Sequence, residues 1–138
     1  MQKADWERAK QMLARPWPYG RVTLEIDGYE VTLVREAVKD MFHSAIRPYV
    51  NDKFEGKWLV QDCEERRRFM PQRVRPVLSR AQIARYNKLP KRVQKELRSL
   101  REETYMEYAS HWTSWNALIK HFVANNKDIQ LKKEPGNA

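Results

Sequence analysis

Arg21-Val22-Thr23-Leu24-Glu25-Ile26-Asp27-Gly28-Tyr29-Glu30-Val31-Thr32-Leu33-Val34 alternates apolar and polar residues on either side of Asp27-Gly28. An Asp-Gly pair supplies the positive φ that both positions of a two-residue type I′ turn need, so the run reads as a β-hairpin. The turn sets the register: Ile26 faces Tyr29, Leu24 faces Val31 and Val22 faces Leu33. All six apolar side chains then share one face. On the other face Thr23 meets Thr32, while Glu25 meets Glu30, a like-charge pair tolerated only in water or beside a cation.

Outward from this hairpin, a second is expected across Asn51-Asp52. Pairing Tyr49 with Phe54 and Ala45 with Trp58 puts four apolar side chains on one face. Pro48 has no N–H for a ladder, which places its strand at an edge or leaves it interrupted there. Two hairpins make a four-stranded antiparallel sheet with one covered face. Before it, Asp5 can cap a helix whose Trp6, Ala9 and Leu13 share a side, and which Pro16-Trp17-Pro18 ends.

Beyond Val60 the period becomes helical. A short helical segment over 62–70 is followed by an extended connector between Pro71 and Pro76. Ser79 can cap a helix to about Lys88. Pro90 suits the first position of another, predicted to run to about Ala109 with Val93, Leu97, Leu100 and Thr104 on one stripe and Lys91, Lys95, Arg98 and Glu102 opposite. A last helix opens at Thr113 or Ser114, buries Trp115, Leu118, Ile119 and Phe122, and stops near Asn125-Asn126. The expected architecture is a single α+β domain over 1–131: an N-terminal helix, a four-stranded antiparallel sheet and a C-terminal layer of about three helices. The tail 132–138 is expected to be loose.

The chain has 138 residues, 41% of them hydrophobic, with five Trp, six Tyr and four Phe. That is enough apolar surface to offset chain entropy in one modest core. The lone Cys63 has no partner for an internal disulfide, and no apolar stretch reaches the length of a signal sequence or a membrane span. A cytoplasmic protein away from membranes is the expectation.

Charge is distributed unevenly. Of the 27 basic residues, 13 fall between Arg66 and Arg101, where Glu96 is the only acid. Three readings compete for this tract. A solvated helical surface does not account for the missing acids, because exposed helices usually interleave both signs at i, i+4. Nucleic-acid binding does: most of these charges are Arg, which suits bidentate phosphate contact, and Arg73-Val74-Arg75-Pro76 can follow a backbone. The third is docking on an acidic protein face. Under the second reading Arg66, Arg67, Arg68, Arg73, Arg75, Arg80, Arg85, Lys88, Lys91, Arg92, Lys95 and Arg98 would contact phosphate, with little sequence specificity.

Stacking on bases needs exposed rings beside the charge, and only Phe69 and Tyr86 lie within the tract. Trp115 fits a buried stripe. Trp112, ahead of the cap, is a candidate stacking platform, partner anchor or lid on the core. Catalytic signatures are weak. His43, His111, His121 and Cys63 show no metal-ligand spacing, and Glu25, Asp27 and Glu30 at the hairpin tip read more readily as solvated turn carboxylates than as a cation site. Glu36-Ala37-Val38-Lys39 has one residue too many for a nuclease carboxylate-x-Lys step. The four glycines are isolated, so no phosphate-cradling loop is present. Neither a metal nor a cofactor is expected, and the chain reads as a binding protein and not an enzyme.

The run Tyr49-Val50-Asn51-Asp52-Lys53-Phe54-Glu55-Gly56-Lys57-Trp58-Leu59, an Arg-rich middle and the closing His111-Trp112-Thr113-Ser114-Trp115-Asn116-Ala117-Leu118-Ile119-Lys120-His121-Phe122 together resemble small uncharacterised proteins encoded in tailed-phage and prophage genomes. The resemblance covers about residues 21–126. It implies a bacterial cytosol and an accessory role, in counter-defence or host takeover, through binding an acidic face of a host protein. It brings no catalytic residues. The leading expectation remains nucleic-acid binding, with the acidic host protein as alternative and a small nuclease third.

Overall fold

In the computed structural model, which describes residues 1–16, 19–37 and 44–132, the first hairpin has the expected register. Strands β1 (Arg21–Ile26) and β2 (Tyr29–Ala37) pair with Val22 opposite Leu33, Leu24 opposite Val31 and Ile26 opposite Tyr29. Asp27 and Gly28 take φ of 46° and 88°, as the turn demands. Val22, Leu24, Ile26, Val31 and Leu33 are buried on the core face. The cation beside the Glu25–Glu30 pair is Lys132, whose Nζ lies 3.0 Å from Glu30.

The second hairpin departs from expectation. Strand β3 (Ser44–Val50) pairs antiparallel with β2, and Asn51 and Asp52 turn the chain with positive φ. Its return arm ends after one bridge, Val50 to Lys53. Gly56–Leu59 is a 3-10 turn instead of a strand. Aromatic packing explains the difference: the Phe54 ring meets Tyr49 edge-on at 6.4 Å and Trp58 at 5.7 Å, so the rings gather without a backbone ladder. The fourth strand comes from far along the chain, where β6 (Ile129–Leu131) pairs with β1. The antiparallel order is β3-β2-β1-β6, with Pro48 on an edge strand as its missing N–H requires.

Three helices cover this sheet's core face. Helix α1 (Lys3–Leu13) buries Trp6, Ala9 and Leu13. Asp5 is its third residue and not its cap; the carboxylate accepts the Gln2 N–H at 3.1 Å. Pro16 lies past the helix end, and Trp17 and Pro18 lie outside the described residues. Gly20 joins α1 to β1 at a close approach: a Cβ there would stand 2.8 Å from the Arg15 carbonyl oxygen and 3.1 Å from that of Leu13. Helices α2 (Glu64–Phe69) and α6 (Trp115–Asn125) bring in Phe69, Leu118 and Phe122, all fully buried. Ser114 caps α6 by accepting the Ala117 N–H at 3.3 Å. Phe69 is edge-on to Tyr29 at 5.5 Å and to Phe122 at 5.7 Å, which joins helix to sheet and helix to helix.

The chain divides into two compact units, Met1–Pro71 with Tyr108–Ala138, and Gln72–Glu107. In the smaller, strands β4 (Gln72–Pro76) and β5 (Thr104–Tyr108) form a two-stranded sheet, Tyr108 itself counting with the larger unit. Between the strands lie α3 (Arg80–Asn87), α4 (Lys91–Glu96) and α5 (Arg98–Glu102). Ser79 caps α3 in a reciprocal box with Gln82. The helix expected from Pro90 to about Ala109 is therefore two short helices and a strand. Thr104, Tyr105 and Tyr108 are β-branched or aromatic, and β4 offers them a partner, so strand wins over helix there. The tail expected to be loose from Lys132 begins with an anchored residue, since the Lys132 N–H donates to the Thr23 carbonyl at 3.0 Å. Its remainder, 133–138, lies outside the described residues.

Candidate functional site

The twelve basic residues expected to contact phosphate fall into two groups with different surroundings. Arg66, Arg67 and Arg68 belong to α2 in the larger unit, and all three are engaged. The Arg66 guanidinium lies 3.9 Å from the centre of the Tyr108 ring. Arg67 forms a bidentate pair with Asp62, with Nε 2.9 Å from Oδ1, and its guanidinium holds the Asp62 carboxyl below the usual carboxylate range. Arg68 reaches Glu64 at 2.7 Å, Asp27 at 2.8 Å and the Asn126 side-chain oxygen at 3.0 Å. The carboxylates neutralise Arg67 and Arg68, whereas Arg66 meets a neutral ring and keeps its charge.

Asp27 is the hub of that group. Besides Arg68, its carboxylate accepts the N–H of Lys127 at 2.9 Å and of Asp128 at 2.8 Å, locking the segment before β6 onto the hairpin turn. Those backbone bonds, then Arg68, hold its pKa below the ordinary value. The sign follows: a carboxyl with a depressed folded pKa adds stability that is complete above its unfolded pKa of about 3.9 and is lost as pH falls through the folded value. Urea unfolding measured as a function of pH should show Asp27→Asn to be less stable than the parent near neutrality, with the two converging in acid.

The remaining nine lie in Gln72–Glu107, where ten basic residues accompany four acids. Arg73 and Arg75 are on β4, Arg80 and Arg85 on α3 with Lys88 just past it, Lys91, Arg92 and Lys95 on α4, and Arg98 on α5. Arg75 pairs with Glu107 at 2.9 Å, and Arg92 lies 4.0 Å from Glu96 with both side chains largely in water. Among the described residues, Arg80, Arg85, Lys88, Lys91, Lys95 and Arg98 are exposed and form no salt bridge. No residue of the segment is buried. The helix–turn–helix over α3 and α4 is held instead by polar contacts: the Tyr86 hydroxyl donates to the Gln94 carbonyl at 2.7 Å, and the Gln94 amide donates to the carbonyls of Leu89 at 2.9 Å and Asn87 at 3.2 Å.

Aromatic availability differs from the expectation. Phe69 is core, and the Tyr86 hydroxyl is committed to the α3–α4 turn. Trp112 is 6% exposed; its Nε1–H donates to the Phe69 carbonyl at 2.8 Å and its ring packs edge-on against Phe122. It is the lid on the core, and its faces are not open to a base or a partner. Within the segment Gln72–Glu107 the exposed ring is Tyr105 on β5, at 50%. It lies four residues beyond the basic tract, in a segment expected to be helical, which is why the sequence did not single it out.

Titratable groups outside the tract have structural duties. His121 is half-buried, burial pushes its pKa down, and its Nε2–H donates to the Arg67 carbonyl at 2.9 Å. His111 lies in a cluster that no local motif announced. Its Nε2 is 3.0 Å from Arg47 Nη2 and 3.3 Å from Glu36 Oε2, and Ser110 Oγ is 2.6 Å from its Nδ1. A guanidinium can only donate and a carboxylate can only accept, so Nε2 faces a donor in Arg47 and an acceptor in Glu36 and serves one of them at a time. Burial disfavours the Glu36 charge, but the Tyr49 hydroxyl at 2.6 Å, His111 and Arg47 together hold its pKa below the ordinary value.

The acids at the hairpin tip border a depression of about 490 Å³. Asp27 is taken up by Arg68 and two backbone N–H groups, and Glu30 by Lys132. Among the described residues, no three His, Cys, Asp or Glu side chains are placed to hold a metal ion, and His43 lies outside them. No helix of the described residues is long and apolar enough to cross a membrane. Set against protein-family models, curated proteins and solved structures, the chain matches none.

Proposed function

We propose that this chain is a non-enzymatic nucleic-acid-binding protein, working in the cytoplasm, whose contact surface is the basic segment Gln72–Glu107. The carrying observation is the contrast between the two groups of cations. Arg67 and Arg68 of α2 are paired with Asp62, Glu64 and Asp27 and Arg66 lies over the Tyr108 ring, whereas six cations of the smaller unit are exposed with no acid beside them among the described residues. Unpaired cations at that density attract a polyanion and release its counterions on contact. The bound charges are phosphates, which position the strand without reading its sequence.

Titration of the protein against labelled single-stranded and duplex DNA and RNA tests this. With about six phosphates neutralised on duplex DNA, log K falls against log salt with a slope of about −5. Absence of binding at about 50 mM salt, where polyanion attraction is strong, sinks the reading. One observation favours the alternative, an accessory protein of phage type that binds an acidic host protein. Seven large apolar side chains of the segment, including Leu97 and Leu100, are exposed, as a protein interface would use them. That alternative predicts an acidic protein retained from nuclease-treated bacterial lysate and no affinity for nucleic acid.

A further inference from the structure

The two-stranded sheet of the smaller unit presents an aromatic ring among cations. The Val77 N–H donates to the Glu103 carbonyl at 3.0 Å, and Arg75 Nε reaches Glu107 at 2.9 Å. Increasing numbers on β4 thus meet decreasing numbers on β5, an antiparallel register that places Arg75 opposite Tyr105 and Arg73 opposite Glu107. Side chains two apart share a face. Arg73, Arg75, Tyr105 and Glu107 therefore lie on one side, while Val74 and Met106 lie on the other. Tyr105 is 50% exposed; of the two acids on its face, Glu107 is already paired with Arg75, and the exposed Glu103 lies two residues before the ring.

Resting on the nucleic-acid reading above, we infer that this face is a single-strand site: Tyr105 stacks on an unpaired base while Arg73, which has no salt bridge among the described residues, takes a flanking phosphate. In a duplex each base face is covered by its neighbours, so an exposed ring on a two-stranded sheet has nothing to stack against. A single strand offers those faces. Electrostatics alone argues the other way, because a duplex carries the higher charge density and the steeper counterion release. A preference for single strands would therefore have to come from the ring, which makes the inference separable from the charge.

The experiment is fluorescence anisotropy at about 100 mM salt with an oligothymidylate of about 16 nucleotides and a duplex of equal length, on the full chain and two variants. The single strand should bind more tightly than the duplex. Tyr105→Ala should weaken single-strand binding between about fivefold and a hundredfold and leave duplex binding unchanged, while Tyr105→Phe, which keeps the ring, stays within about twofold of the parent. Duplex binding as tight as single-strand binding, or a neutral Tyr105→Ala, overturns the inference and leaves the proposed function standing. Failure of the parent chain to bind either probe overturns the proposed function itself.

Discussion

Exchanging Arg80, Arg85, Lys88 and Lys91 together for glutamine lowers affinity for nucleic acid by about three decades at moderate salt and flattens the salt slope by about 4, one unit for each phosphate no longer neutralised. The stability of the fold should barely change. All four side chains are exposed and free of salt bridges among the described residues, so glutamine removes charge without disturbing the native packing. Arg68→Gln should behave in the opposite way. It strips a guanidinium from Asp27, Glu64 and Asn126, so its cost appears in urea unfolding while the salt slope stays that of the parent. If both variants change binding equally, the division of the twelve cations into structural and functional groups is wrong. If neither changes it, the segment is not the contact surface.

The second large effect concerns the core. Phe69→Ala should cost about 3–5 kcal/mol, a large share of the roughly 5–15 kcal/mol by which a domain of this kind is stable. Phe69 is fully buried at the end of α2, edge-on to Tyr29 of the sheet and to Phe122 of α6, so its removal opens a cavity bordered by three elements. The destabilisation reads out as a lower midpoint in urea with an unchanged slope. Phe69→Leu, which refills most of the volume, should cost only about 1–2 kcal/mol. A change confined to the slope would mean that the denatured state, and not the core, had moved.

Both expectations join features that the sequence shows to features that it does not. The first hairpin was legible because its information is local: Asp27-Gly28 dictates a turn, and alternation on either side dictates a face. Ser79, Ser114 and the Trp6, Ala9, Leu13 stripe were legible for the same reason, since a cap or a helical face is defined within a few residues. The strand β6 was not. Three residues, Ile129-Gln130-Leu131, are too few to display a period, and they are strand only because β1 has an open edge. Likewise Thr104–Tyr108 carries a helical stripe with its neighbours and a strand composition of its own, and the presence of β4 decides between them.

For the candidate site, the sequence by itself determined the sign and concentration of charge, the absence of a local catalytic motif and the first hairpin around which the larger unit is built. Tertiary structure decided which charges are available. Arg68 meets Asp27, 41 positions away, and Asp27 is held in turn by the backbone of Lys127, 100 positions away. No pattern within a helical turn or a strand can reveal such pairings, because they depend on where long loops bring the chain together. The tally of charges along a chain is one-dimensional; their neutralisation requires proximity in space. That is why thirteen cations in one stretch of sequence resolve into three that fasten α2 and ten in a segment with no buried residue, and why the ring exposed beside them is Tyr105 and not Trp112.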